Sequence, residues 1–231
     1  KRVLAMLDKA LLPQATKGEL LRLVGMLEHL EVVVRGTAIL NNFIWHHLHL
    51  HGGPPKDAFD KRPAKVEPGS YADRSLQEWS SILRDASFSW SASWLQCDPI
   101  NARVLPSDAA GNLSDRHKSA GWSAFIGNIR IYERWTAAEL EIEDMSLKEG
   151  RALLVCTTKL GKFLSGRILV HLVDNSGFSY DTNKQRTMSP ARFSLLLSLS
   201  RAQRRFNFEL VSNWAPREDP RIEWSDNGTR A

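Results

Sequence analysis

Arg167-Ile-Leu-Val-His-Leu-Val-Asp174-Asn175 is the stretch on which the fold turns. Between Arg167 and Asp174 it is apolar apart from His171, the pattern of a buried central strand. Upstream, Leu147-Lys-Glu149-Gly-Arg-Ala-Leu153 opens a stretch with helical period. Glu149, Leu153, Cys156, Leu160 and Phe163 fall at steps of four and three on one face, so Glu149 belongs to the side that covers a sheet. Farther upstream, Ala102-Arg-Val-Leu-Pro-Ser leads into Asp108. Gly121-Trp-Ser-Ala-Phe-Ile126 and Ile129-Arg-Ile-Tyr132 then flank Gly127-Asn128, a two-residue hairpin signal.

Asp108, Glu149 and Asp174 each sit in an otherwise apolar element. A carboxylate there is costly unless a cation or a donor neutralises it. Carboxylates that converge on one point repel and titrate as a coupled set. A divalent ion removes the conflict. Mg²⁺ prefers carboxylate oxygen and water, and keeps positions open for phosphate. Any one of these acids alone reads more readily as a capping or surface residue. The three together, in this order and setting, point to a metal site.

Strand with Asp, hairpin, helix with Glu, strand with Asp is the layout of a ribonuclease H-like fold: α/β, a mixed sheet flanked by helices. Ser107-Asp-Ala-Ala-Gly111, Gly121-Trp122, Leu147-Lys-Glu-Gly-Arg-Ala-Leu153 and Val173-Asp-Asn-Ser176 resemble the ribonuclease H region of retroelement reverse transcriptases, most of all the tyrosine-recombinase (DIRS-like) retrotransposons. Asn183-Lys-Gln-Arg-Thr-Met-Ser-Pro190 is similar to that family's loop into its next helix, which Ser189 and Pro190 would start. Asn213-Trp-Ala-Pro-Arg-Glu-Asp219 resembles the lead-in to the family's last acidic motif, Ala-Asp-x-x-Ser-Arg. Its nearest match here is Ser225-Asp226-Asn-Gly-Thr-Arg230, after a longer spacer. Asp226 is therefore the fourth carboxylate, with Asp219 as rival. Gly150 is a second departure, because glycine weakens a helix start.

The resemblance implies hydrolysis of the RNA strand of RNA–DNA hybrids with two Mg²⁺ ions, Mn²⁺ being a substitute. Asp108 would bridge the ions, Glu149 and Asp174 would complete one site, and Asp226 the other. A hybrid is read by shape and 2′-hydroxyls. Lys184, Arg186, Arg192, Arg201, Arg204 and Arg205 are placed to follow phosphates, although each also reads as part of a solvated helix face. Asn175 would donate to a 2′-hydroxyl or cap the next helix, the cap being favoured. The rival from another class is a catalytically inactive ribonuclease H-like module that grips nucleic acid or organises a polymerase. A nuclease or integrase of the same fold acting on duplex DNA matches the motifs less well.

Residues 1–51 read as a helical segment similar to the family's thumb and connection. Thr16 and Glu19 form a capping box, and Leu20, Val24, Leu27, Leu30 and Val34 follow helical spacing. Arg35-Gly36 marks a bend, and Leu40, Phe43, Ile44 and Leu48 belong to a second helix that Gly52-Gly-Pro-Pro55 stops. Residues 52–100 read as a linker and a short connection helix beginning at Ser75. The ribonuclease H-like domain is expected over 101–231. No Tyr/Phe-x-Asp-Asp polymerase motif occurs, so the polymerase domain would lie upstream of Lys1 in the same polypeptide. The missing initiator Met agrees with a fragment.

The 231 residues, 42% hydrophobic and 25% charged, suit a globular chain, and the +5 net charge with pI near 9.4 suits a polyanionic partner. Two cysteines exclude a disulfide framework, and an intracellular setting, cytoplasm or nucleus, is expected. No membrane partner is expected, because no stretch is apolar enough to span a bilayer. His46-His-Leu-His-Leu-His51 carries metal-ligand spacing without a nearby acid, so capping by the helix dipole is favoured. Trp79, Trp90, Trp94, Trp122, Trp135 and Trp214 read as core.

Overall fold

In the computed structural model, β4 (Arg167–Val173) lies between β1 (Asp98–Ala109) and β5 (Glu209–Trp214) and runs parallel to both. The structure describes residues 1–31, 33–34, 36–85, 98–110, 120–187 and 189–229. β1 pairs antiparallel with β2 (Gly121–Ile126), which turns through Gly127-Asn128 into β3 (Ile129–Arg134). The order β3-β2-β1-β4-β5, a mixed sheet flanked by helices, is the ribonuclease H-like arrangement. The central position of β4 explains its composition. Leu169 and Val173 are fully buried, and each such aliphatic contributes about 1.5–3 kcal/mol on leaving water.

Helices cover the sheet on both faces. Pleating sends Ser107 and Asp108 to opposite sides of β1. On the Asp108 side lies α9 (Pro220–Thr229), which packs on β1 and β2, with Ile222 joining Leu172 and Ala215 in a small apolar cluster. On the Ser107 side lies α7 (Ser176–Lys184), whose Phe178 meets the His171 ring edge-on at 5.9 Å. α6 (Met145–Leu164) packs on β1, β2 and β4, after the short α5 (Ala137–Leu140) with its Thr136–Glu139 capping box. α8 (Pro190–Phe206) buries Phe193, Leu196, Leu197 and Ser200, which helical spacing in the sequence places on one face.

Two sequence expectations need correction here. Phe163, assigned to the buried face of α6, is 43% exposed. Fourteen residues past Glu149 the 3.6 periodicity has drifted, so Gly161 and Leu164 take the inner positions. Phe163 instead lies under the guanidinium groups of Arg103 and Arg167, at 5.9 and 5.0 Å. The alternation of Phe206-Asn-Phe-Glu-Leu-Val211 predicts a strand from Phe206, but Phe206 ends α8 and β5 begins at Glu209. Gly150 also has a packing reason: a Cβ there would run into Leu195 of α8 and approach Phe178 of α7 to 2.6 Å. A side chain at this position would require Leu195 and Phe178 to move.

The chain divides into two units, Lys1–Ala92 with Gln185–Pro190, and Ser93–Lys184 with Ala191–Ala231. The first contains α1 (Arg2–Ala10), α2 (Lys17–Glu31), α3 (Ala38–Leu50) and α4 (Tyr71–Arg84). The capping box forms as expected, with Thr16 N donating to Glu19 Oε2 at 3.1 Å and Glu19 N to Thr16 Oγ1 at 3.3 Å. α4 begins at Tyr71 rather than Ser75, because Ser70 caps it by accepting from Asp73 N. Trp79 and Trp122 are core residues, and Trp90 and Trp94 lie outside the described residues.

Candidate functional site

The register of β1 on β4 sets the geometry. Pro106 pairs with Leu172, so two residues farther along each strand come Asp108 and Asp174. Parallel neighbours keep their level, and both acids arrive at the same end of the sheet. Glu149 reaches them from the second turn of α6, and Asp226 comes from α9. Asp108, Glu149 and Asp226 are 6%, 5% and 8% exposed.

Electrostatics shows how the acids are grouped. Burial raises Asp108 to about 6, helped first by the charge of Asp226 and then by that of Asp174. Burial likewise raises Glu149 to about 8, followed by the charges of Asp174, Asp108 and Asp144. Asp108 thus feels both Asp226 and Asp174, whereas the acids acting most on Glu149 are Asp174, Asp108 and Asp144. Glu149 Oε2 is buried and receives no hydrogen bond. Among the described residues, no three carboxylate, imidazole or thiol groups stand close enough together to hold one metal ion as drawn.

Asp219 has another role. Its side chain accepts from Arg221 N at 2.9 Å and pairs with the Arg221 guanidinium at 2.6 Å, while its carbonyl accepts from Glu223 N. It caps α9 and exerts no resolved influence on Asp108 or Glu149.

Arg217 escaped the sequence reading. It follows β5 on the loop to α9, and its Nε lies 3.6 Å from Asp174 Oδ2. Its charge opposes the upward shift of both Asp108 and Glu149. Trp214 precedes it, assigned to the core but 55% exposed. Its indole N–H donates to the Asp174 carbonyl at 3.1 Å, which holds the ring at the rim of the acids. Trp224 on α9 is also exposed, at 68%. An exposed tryptophan follows no apolar period, so the sequence carried no signal for this placement.

Asn175 acts as the cap. Its Oδ1 accepts from Phe178 N at 3.0 Å, and its Nδ2 donates to Ser146 Oγ at 2.8 Å, joining α7 to the start of α6. Arg192 is drawn into the same junction, with ion pairs to Asp144 at 3.2 Å and Asp181 at 3.0 Å. Arg201, Arg204 and Arg205 lie at the other end of α8, where Arg204 donates to Ser200 Oγ and Arg205 stacks on Phe206. The Phe206 ring fills the space over Gly161, twelve residues past Glu149. At 1.5 Å per residue, that puts the basic end roughly 18 Å along α6 from the acids. Lys184 and Arg186 are exposed. Arg192 and the Arg201, Arg204 and Arg205 group thus lie at opposite ends of α8.

On the opposite face of the sheet, His171 is fully buried between Ser107 Oγ (2.7 Å) and Ser212 Oγ (3.1 Å). Burial lowers its ring to about 3, so it stays neutral and supplies one donor and one acceptor. This ladder crosses β1, β4 and β5 one residue from Asp108, fixing the register that aligns the acids. The histidine run of α3 is structural as well: His47 Nε2 lies 2.7 Å from Ala64 O.

No family model and no curated protein sequence matches the chain. Among solved structures it is similar to a ribonuclease H1 isolated from compost by a metagenomic approach (15% identity, 55% of this chain and 91% of that one, TM-score 0.43). It is also similar to the ribonuclease H1 of Halobacterium salinarum (15%, 55% and 93%, TM-score 0.41). A foamy viral protease–reverse transcriptase in complex with double-stranded DNA matches across 91% of this chain and 34% of that one, at 15% identity and a TM-score of 0.29.

Proposed function

We propose that the sheet-bearing unit hydrolyses the RNA strand of RNA–DNA hybrids, and that the chain is part of a retroelement reverse transcriptase. One observation carries this reading: Glu149 Oε2 is buried, unbonded and beside two further carboxylates. An orphaned acceptor in a repelling set calls for a cation. The donor set fits Mg²⁺ or Mn²⁺, because it consists of hard carboxylate oxygens with no thiolate and no imidazole. Asp108, Glu149 and Asp174 would hold one ion, and Asp108 with Asp226 a second. Bound there, the ions supply an activated water and charge stabilisation at the scissile phosphate.

The chain's own residues provide the rest. β1 and β4 fix Asp108 and Asp174 at one level, and the His171 ladder keeps them there. Glu149 takes up a proton near neutral pH when no cation is present and releases it on binding. The Arg217 fork balances the acids and is free on its outer side to meet a phosphate. No nucleophilic side chain is required. Cys156, the buried thiol of the site-bearing unit, is pushed up to about 12 and stays inert.

A second reading, a module that binds hybrid without cutting it, is favoured by one observation. Among the described residues, no three acids converge within common coordination distance. Purified protein, a labelled hybrid, Mg²⁺ and an EDTA control separate the two. Cleavage confined to the RNA strand, abolished by Asp174→Asn with binding retained, is expected. Activity surviving that substitution would refute the site, and binding without cleavage would establish the inert module.

A further inference from the structure

In the helical unit, Lys17 opens α2 with its side chain enclosed, at 2% exposure. Both of its hydrogen bonds go to main-chain carbonyls, Leu48 O at 3.0 Å and Gly53 O. The neighbouring acid, Asp60, is committed elsewhere. Its two oxygens accept from the Arg62 guanidinium and from the main-chain N–H groups of Lys56 and Arg62. Among the described residues no carboxylate forms an ion pair with Lys17. Carbonyl dipoles satisfy donors but do not cancel charge, and the carboxylate whose charge reaches Lys17, Asp60, is already paired with Arg62.

The surroundings add positive charge. A cavity of about 270 Å³ is lined by Lys17, His51, Gly52, Arg62, Pro63 and Lys65. Four of these are basic and none is acidic. Arg62 spends its donors on Asp60 and on the carbonyls of Gly52 and Pro54, so it acts on the cavity through charge. Lys65 and His51 are exposed and can turn their donors inward. Among the described residues the third N–H of Lys17 meets no acceptor.

The wall is fixed before any ligand arrives. Lys17 N donates to Arg62 O at 2.8 Å, Gly18 N to Asp60 O at 2.9 Å and Ala64 N to Ala15 O at 2.8 Å, around an isolated bridge between Thr16 and Pro63. Gly18 is required for this approach, since a Cβ there would come within 2.6 Å of Ala58 O. His51 is held by its ring contact with His47 at 4.4 Å, and His47 by Ala64 O. A preformed recess lined by four basic residues, whose buried ammonium has no ion pair among the described residues, is suited to a compact anion with several acceptor oxygens.

We propose that this cavity binds a phosphate group, either a free or terminal phosphate or a backbone phosphodiester of nucleic acid. The site is independent of the acidic cluster, and its existence does not require nuclease activity.

The test uses the full chain with histidine rings labelled for NMR. It is titrated at constant ionic strength with inorganic phosphate, with a 5′-nucleoside monophosphate, and with a single-stranded oligonucleotide lacking a terminal phosphate. Saturable displacement of the His51 ring resonances is expected, and Lys65→Glu should weaken it about tenfold, as expected for reversing one nearby charge. Lys17→Met should abolish it. If that variant fails to fold, Lys65→Glu carries the test alone. Tighter binding of phosphate or monophosphate identifies a terminal phosphate, and tighter binding of the oligonucleotide a backbone phosphodiester. Absence of a saturable change at His51 in all three titrations, or equal affinity in Lys65→Glu, would overturn the proposal.

Discussion

Arg217 Nε stands 3.6 Å from Asp174 Oδ2, a guanidinium placed against the carboxylates that the proposed chemistry needs for a metal ion. Its charge acts on Asp108 and Glu149 too, so it is the common counterweight of the set. The side chain is 69% exposed and can leave without breaking packed structure.

A divalent ion entering the acids must work against that positive charge. Arg217→Ala should therefore tighten Mg²⁺ binding by about three- to tenfold at low salt, with the gain shrinking as salt rises. Isothermal titration in two salt concentrations measures it. Unchanged or weaker affinity would show that Arg217 does not compete.

Glu149 gives a pH signature. Its folded value of about 8 exceeds the ordinary carboxyl value, so the folded state holds a proton that the unfolded state has lost. That contribution is complete below the unfolded value and disappears as pH rises toward 8. Asp108, at about 6, acts with the same sign over a lower window. In EDTA the protein should lose stability between about pH 5 and 8, and Glu149→Gln should be the more stable form at pH 8.5, by on the order of 2 kcal/mol. Urea midpoints at pH 5.5 and 8.5 test this, and Mg²⁺ should remove the difference.

Asp226 and Asp219 are separated by role. Asp226→Asn removes a charge that acts on Asp108 and should depress hybrid cleavage by at least about a hundredfold, a usual scale for loss of one electrostatic group in a catalytic set. Asp219→Asn should leave cleavage near wild type and cost about 1 kcal/mol or less, as for a weakened cap. Reversed outcomes would exchange the two assignments.

Gly150→Ala tests the packing that carries Glu149. Helix propensity alone favours alanine by about 1 kcal/mol. Contact with Leu195 and Phe178 opposes it, and overpacking costs typically about 1–3 kcal/mol. A lowered thermal midpoint is expected, and a raised one would mean that α6, α7 and α8 are less tightly packed than drawn.

The sequence determined the elements whose pattern is local. β4 was legible from a run that is apolar but for His171, the hairpin from Gly127-Asn128, the start of α2 from Thr16 and Glu19, and the buried face of α8 from its period. Asp108, Glu149 and Asp174 stood out because a charge in an apolar element is conspicuous in one dimension. Tertiary structure decided what depends on register and approach. Only the pairing of β1 with β4 brings Asp108 level with Asp174, and only the packing of α9 turns Asp226 inward while Asp219 caps the helix. Arg217, Trp214 and the Ser107–His171–Ser212 ladder carried no periodic signal, since each gains its role from a neighbour distant in the chain. Hydrophobic period is a property of adjacent residues, whereas electrostatic partnership is a property of space.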